Sequence, residues 1–351
     1  MLDRLAGLNP DFSLVALVQG PVPLVLLVLA LFTDAVAGSV LRALVPLPHP
    51  DRIVAALSAS LERRLNREHR SAATRLIRGL LATLVILAVG VGLGAAIAAL
   101  GAAVPFGWVL TLTVILALVS QHRPAAALRT ARALGPLGNL GRETLDHDFP
   151  VLSGGDEFLA AASRDSFAVA RGAVEHLAGR FSAGLVGCVF WYVLFGLPGL
   201  VVYRFVNVMA SRLDETKVRG GNFGLVATRL HEAMAWLPAR FAGALLALAA
   251  VFVPGAHAGR TFATMLAQAP RHPVRSLAWP VAAMAGALGL SLAGPDPIED
   301  RGGALVPWIG PERARARVNA IDIRRAVFLY AVAVLLNGVV LLLVTMAWLA
   351  A

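Results

Sequence analysis

Residues Gly79 to Gln121 read "GLLATLVILAVGVGLGAAIAALGAAVPFGWVLTLTVILALVSQ", a run without a single Asp, Glu, Lys or Arg. A helical crossing of a bilayer takes about 20 apolar residues, so this run is long enough for two. It is broken once, at "GAAVPFGW", Gly101 to Trp108, where glycine and proline make a reversal and Trp108 suits a membrane interface. The run therefore reads as a helical hairpin with spans at 80–101 and 106–121. Composition agrees: 58% of the chain is hydrophobic and 15% charged, against roughly 25% charged in a soluble domain. The strand signal is weak throughout. The expected fold is an all-α polytopic membrane protein with about four to six apolar helices.

Working outward, 15–32 and 326–351 are further spanning candidates. Segments 183–203 and 241–258 are apolar but contain Gly196, Pro198, Gly199 and Pro254, so each reads as spanning or re-entrant. "SASLERRLNREHRSAATRLIRGLL", Ser58 to Leu81, reads as an amphipathic helix running into a span, with Arg63, Arg64, Arg67 and Arg70 facing lipid phosphates or water. The polar regions 122–182, 204–240 and 259–325 are loops. Region 204–240 holds six Arg/Lys against three acids. If every apolar run crossed once, it would lie opposite the other basic loops. Positive residues favour the cytoplasmic side, so re-entrant 183–203 and 241–258 give all large loops one cytoplasmic address and place the amino terminus outside.

The net charge is +10, with Lys217 the lone lysine. Cytoplasmic loops account for that balance better than a nucleic-acid partner, and none is expected. Cys188 is the single cysteine, so no intramolecular disulfide forms. No cleavable signal peptide is evident. Gly154 to Phe158, "GGDEF", spells the signature of the diguanylate cyclases. The segment some 40 residues upstream, where that enzyme needs a metal-binding Asp, is a membrane span, so the pentapeptide reads as a turn followed by a helix start. There is no phosphate-loop motif, and His231-Glu232 lacks the second histidine of a zinc helix.

The stretch "VARGAVEHLAGRFSAGLVGCVFWYVLFGLPGLVVYRFVNVMASRLDETKVRGGNFGLVATRLHEAMAWLPARF", from Val169, resembles the adenosylcobinamide-phosphate synthase (CobD/CbiB) family of cobalamin biosynthesis. Matching positions include Arg171, Glu175, Gly196, Pro198, Tyr203, Asn207, Ser211, Arg219, Arg229, Trp236 and Arg240. "WPVAAMAGALGLSLAGP", Trp279 to Pro295, is its most specific element. "GRET" at Gly141, "PWIG" at Pro307 and "IDIRRAVFLY" at Ile321 extend the likeness over most of the chain.

The resemblance implies an integral membrane enzyme of the bacterial cytoplasmic membrane. Its reaction would be amide ligation of an aminopropanol, usually as its phosphate, to a corrinoid carboxylate of adenosylcobyric acid. ATP and Mg²⁺ would be the co-reactants; neither is derivable from the residues themselves. Glu175 and Glu232 become the candidate catalytic acids. Asn207, Ser211, Arg219, Arg229, Arg240 and Trp279 become the substrate-binding candidates. No metal ligand is assigned, and the oligomeric state is open. The chain also departs from the family. Its "ENTxDG" becomes Gly179 to Gly184, "GRFSAG"; the Asp of "LDSM" becomes Ala210; "DD" becomes His231-Glu232; and the Glu after "WP" becomes Val281. Those losses leave a second reading open, a degenerate member acting as a membrane scaffold or sensor. A transporter is a distant third, because the spans show no buried charged pair.

Overall fold

The computed structural model describes residues 21–44, 50–67, 70–119, 127–128, 131, 166–215, 221–294 and 307–350. The helices are α1 (Pro21–Leu44), α2 (Pro50–Leu65), α3 (Ala72–Ala103), α4 (Gly107–Leu118), α5 (Ser166–Gly179), α6 (Gly187–Glu215), α7 (Leu225–Phe252), α8 (Ala258–Gln268), α9 (Arg275–Leu288) and α10 (Ala320–Ala350). A π-helical segment, Arg180–Val186, joins α5 to α6. Two-residue strands β1 (Leu292–Ala293) and β2 (Trp308–Ile309) pair antiparallel, Leu292 opposite Ile309. Among the described residues, four helical stretches are long and apolar enough to cross a membrane: Ala72–Ala103, Phe167–Leu213, Leu225–Phe252 and Ala320–Ala350. The protein is an all-α polytopic membrane protein, and the large exposed side chains of α10, among them Leu335, Val339, Leu343 and Met346, are those of a lipid-facing helix.

The expected continuous helix from Ser58 to Leu81 is instead two helices. α2 stops at Leu65, and Ser71 caps α3 by accepting a hydrogen bond from the Thr74 amide at 3.3 Å. Arginines of α3 then reach back to the end of α2: Arg75 Nε donates to Asn66 Oδ1 (2.9 Å) and Arg78 Nη1 to the Leu65 carbonyl (3.2 Å). A carbonyl left open at a helix C-terminus is a natural partner for a guanidinium.

The α5–α6 stretch is continuous in sequence but folds back on itself. Gly196 has φ 62° and ψ −152°, a combination only glycine adopts readily, and Pro198 then opens the returning arm. Trp191 and Tyr203 would lie about 18 Å apart along a straight helix, yet their rings stack with centroids 6.4 Å apart. Gly187, further from the bend, faces the Tyr203 hydroxyl. Residues 180–195 and 197–213 are therefore two arms of one hairpin. The return arm lies along α3, which offers glycines. A Cβ on Gly90 would meet Val202, one on Gly94 would sit 2.5 Å from Pro198 Cα, and Gly79 faces the Phe223 backbone. Without a hydrophobic drive between helices in lipid, small residues let backbones approach and gain dispersion contact. Gly79 to Gly94 is about 22 Å of helix, so the bend reaches well into the apolar layer but stops short of the α3–α4 turn at Val104 to Phe106.

The "WPVAAMAGALG" string forms α9, buried almost throughout from Pro280 to Leu288. Its small side chains are packing surface: a Cβ on Gly286 would come within 2.7 Å of Thr261 Cα on α8. Gly289, φ 67°, ends it in the left-handed conformation, and Arg260 donates to its last carbonyls, Gly286 (2.8 Å) and Ala287 (3.2 Å).

Candidate functional site

Three groups of polar side chains stand out against the apolar helices. The first surrounds α5 and the π-helical segment. Glu175 Oε1 accepts a hydrogen bond from the Ala293 amide of β1 at 2.7 Å. One turn earlier Arg171, buried, donates to the Ala316 carbonyl (3.1 Å) and lies 5.2 Å from the centroid of the Trp308 ring. One turn later Arg180 Nε meets His176 Nε2 at 3.3 Å. The π-helical residues occupy the positions where the resemblance places the "ENTxDG" segment. Single π turns recur at functional sites because they re-aim the side chains of a helix. Phe181, wholly buried, packs edge-on against Tyr330 of α10.

The second group lies between the return arm of the hairpin, α2 and α7. Arg204 is 2% exposed and holds Asp51 of α2 in a two-pronged ion pair, Nε to Oδ1 at 2.8 Å and Nη2 to Oδ2 at 2.5 Å. One turn on, Asn207 Oδ1 accepts from Ser211 Oγ at 3.4 Å, with Asn207 buried and Ser211 exposed. Tyr203 stands 6.0 Å, ring to ring, from the buried His231 of α7. The third group is aromatic: the Arg240 guanidinium lies 3.8 Å from the centroid of Trp236 and 4.8 Å from that of Trp279, and it donates to the Trp236 carbonyl at 2.7 Å. A guanidinium between two indoles links α7 to α9 and is held by ring electrons rather than by a carboxylate.

Of the residues singled out from sequence, Asn207 and Ser211 come together, as do Arg240 and Trp279. Glu232 pairs with Arg229 at 3.0 Å, three residues away on α7, with the arginine 64% exposed. Glu175 stands on another element, α5, tied to β1. Arg219 and "GGDEF" lie outside the described residues. The glutamate roles and the substrate contacts accordingly rest on the resemblance. Sequence reasoning missed Arg204–Asp51, whose partners are 153 positions apart. It also found no buried charged pair, and in this one the arginine is buried. It missed a second long-range clasp, in which the Gln268 side-chain amide exchanges two hydrogen bonds with the Gly310 backbone. Asp322 lies in the "IDIRRAVFLY" string at the start of α10. It is 2% exposed, accepts from Arg315 Nη2 (2.9 Å) and from the Asn319 amide (3.1 Å), and completes a reciprocal cap with Asn319 at the start of α10.

A resident Mg²⁺ would need several oxygen ligands converging on one point. Both Asp51 oxygens face Arg204, both Asp322 oxygens are engaged, Glu232 Oε2 faces Arg229 and Glu175 Oε1 faces Ala293. Among the described residues, no three of His, Cys, Asp and Glu gather where a metal ion would sit. These side chains do not fit a protein-held Mg²⁺–nucleotide centre.

Comparison with known proteins places this architecture. The family described as CobD/Cbib protein matches residues 27–330. A cobalamin biosynthesis protein CobD of Sinorhizobium sp is 34% identical over 324 residues, covering 91% of this chain and 97% of its own length. That of Rhizobium meliloti (strain 1021) is 36% identical over 283 residues, 78% of this chain and 82% of its own. That of Rhodobacter capsulatus is 31% identical over 306 residues, 86% of this chain and 90% of its own. No solved structure matches. From α1 to the first turns of α10, through the bent hairpin and the buried α9, this chain belongs to the CobD/Cbib protein family.

Proposed function

We propose that this protein acts in cobalamin biosynthesis as a membrane-embedded amide ligase, joining an aminopropanol or its phosphate to the free carboxylate of adenosylcobyric acid. The observation that carries the reading is similarity along almost the whole chain to proteins named for cobalamin biosynthesis, at 34% identity over 91% of the length for the Sinorhizobium protein. The role in cobalamin biosynthesis rests on those relatives; the ligation step rests on the family resemblance. ATP with Mg²⁺ is the expected co-reactant of such a ligation, and none of the described side chains is assigned to hold it. Glu175 and Glu232 are proposed as the acids nearest the chemistry. Asn207, Ser211, Arg219, Arg229, Arg240 and Trp279 are proposed on the substrate side. The excess of arginine in the loops supports a bacterial cytoplasmic membrane address with the large loops inside.

Complementation tests the proposal. The chain is expressed in a bacterium lacking its own cobinamide synthase, its presence in the membrane is confirmed, and growth dependent on cobalamin made from cobyric acid is scored. Rescue is the expected result. A protein present in the membrane that gives no rescue, with cobyric acid accumulating, overturns the ligase reading and returns the scaffold alternative.

A further inference from the structure

A cavity of about 460 Å³ opens beside the start of α5 and the segment leading into α10, lined by Phe167, Arg315, Ala316, Arg317 and Asn319. Among the described lining residues, the polar side chains are those of Arg315, Arg317 and Asn319. The Arg315 guanidinium is fixed by the buried carboxylate of Asp322 at 2.9 Å, which sets its position at the wall. Arg317 stands 5.9 Å from the centroid of the Phe167 ring. Among the described residues, no Asp or Glu oxygen forms an ion pair with Arg317. The side-chain Oδ1 of Asn319 accepts from the Ile321 and Asp322 amides, so the N–H groups of that side chain are left to offer. The backbone carbonyls of Arg315, Ala316 and Asn319 are engaged as well, by the Ser291 amide, by the Val318 amide with the buried Arg171, and by the Ile323 amide.

We infer that this cavity binds a phosphate-bearing ligand. Two guanidinium groups, one of them already paired with Asp322, and an amide, with no carboxylate among the described lining residues, favour an anion with several acceptor oxygens. Arginine forks match phosphate oxygens two at a time. The volume lies within the range of small-molecule sites and far exceeds a bare ion, and the Phe167 ring supplies an apolar wall for an organic substituent. Two sources present this chemistry. One is a soluble phosphate ester. The other is the headgroup of an anionic phospholipid, because α10 turns apolar from Ala326, about two turns beyond the cavity. The location of the site stands on these residues alone. If the ligand is soluble, its identification as a reactant rests on the ligase reading.

The test uses the full-length protein and three single variants: Arg317→Gln, Arg317→Lys and, as a control outside the cavity, Arg313→Gln. In detergent stripped of lipid, ³¹P NMR line broadening measures inorganic phosphate and glycerol 3-phosphate binding. In nanodiscs of phosphatidylcholine with one-fifth phosphatidylglycerol, native mass spectrometry counts retained phosphatidylglycerol. Thermal unfolding confirms that each variant is folded. Saturable glycerol 3-phosphate binding, weakened about tenfold or more by Arg317→Gln, less by Arg317→Lys and not by Arg313→Gln, assigns a soluble ester. Phosphatidylglycerol retention that is lost in Arg317→Gln alone, without binding of the soluble probes, assigns a lipid headgroup. If neither probe discriminates Arg317→Gln from Arg313→Gln, the inference is overturned. Failure of complementation leaves both binding readouts intact, so the two proposals fail separately.

Discussion

Removing the Asp51 carboxylate is the sharpest probe of how this fold is held. Arg204 is 2% exposed, and Asp51, at 20%, supplies both oxygens that face it. In Asp51→Ala the guanidinium stays buried with no counter-charge. Breaking one side of a buried pair costs about 3–5 kcal/mol, most of it the penalty of stranding the remaining charge. The partial exposure of Asp51 admits some water, which places the expectation near the lower end, about 3 kcal/mol, or more than a hundredfold in the folded-to-unfolded ratio. Arg204→Met in the same background removes the stranded charge and keeps the apolar stem. The double variant is therefore expected to recover at least about 2 kcal/mol relative to Asp51→Ala alone. The assay is reversible denaturation of the purified protein in mild detergent, run as a double-mutant cycle. A loss under about 1 kcal/mol in Asp51→Ala, or a double variant no more stable than that single, refutes the reasoning. Either would mean that the arginine finds water or another acceptor on release.

Glu175 separates a structural from a chemical role. Glu175→Gln keeps an oxygen for the Ala293 amide, so stability is expected to change by under about 1 kcal/mol, whereas Glu175→Ala leaves that amide open and costs about 1–3 kcal/mol; a Gln variant that folds normally yet fails complementation would assign Glu175 to the chemistry. Gly94→Leu puts side-chain atoms where Pro198 sits and is expected to prevent the hairpin from docking on α3, read as loss of folded protein in the membrane; normal yield would contradict the packing described. In a Cys188→Ala background, Gly172→Cys and Ser211→Cys are expected to react with an impermeant maleimide from one side of the membrane, and Phe106→Cys from the other. Labelling of positions 172 and 211 from opposite sides would show that the bend at Gly196 does not return the chain. Arg260→Ala opens two carbonyls at the end of α9 and is expected to cost about 1–3 kcal/mol in the same unfolding assay.

Much of the fold was legible because its cause is local. An uncharged run of apolar residues has few destinations other than a bilayer, and "GLPG" marks a place where a helix cannot continue straight. What the chain did not disclose depends on residues that meet only after folding. Nothing near Asp51 announces Arg204, and nothing near Gln268 announces Gly310. The end of α2 at Leu65 was hidden for a related reason. The arginines Arg75 and Arg78 look like one face of a continuous amphipathic helix, but they turn back to the end of α2. For the site, the resemblance pointed to residue types, while the structure shows which are already engaged. The carboxylates are largely committed to cations and amides, and the donor-rich hollow at Arg315 to Asn319 lies in a segment where sequence showed only scattered arginines.

The bent hairpin also has a consequence for the order of assembly. A segment interrupted by Gly196 and Pro198, with Arg204 on its return, is a poor candidate for independent insertion, because the bend opens its backbone bonds to lipid. α3 precedes it in the chain and is long and apolar enough to cross a bilayer by itself. During synthesis the glycine groove of α3 is therefore waiting when the hairpin emerges, and the charged end of the return arm never has to be carried to the far face. A groove filled at Gly90 or Gly94 then denies the hairpin the surface its return arm lies on, and less folded protein in the membrane is the expected result.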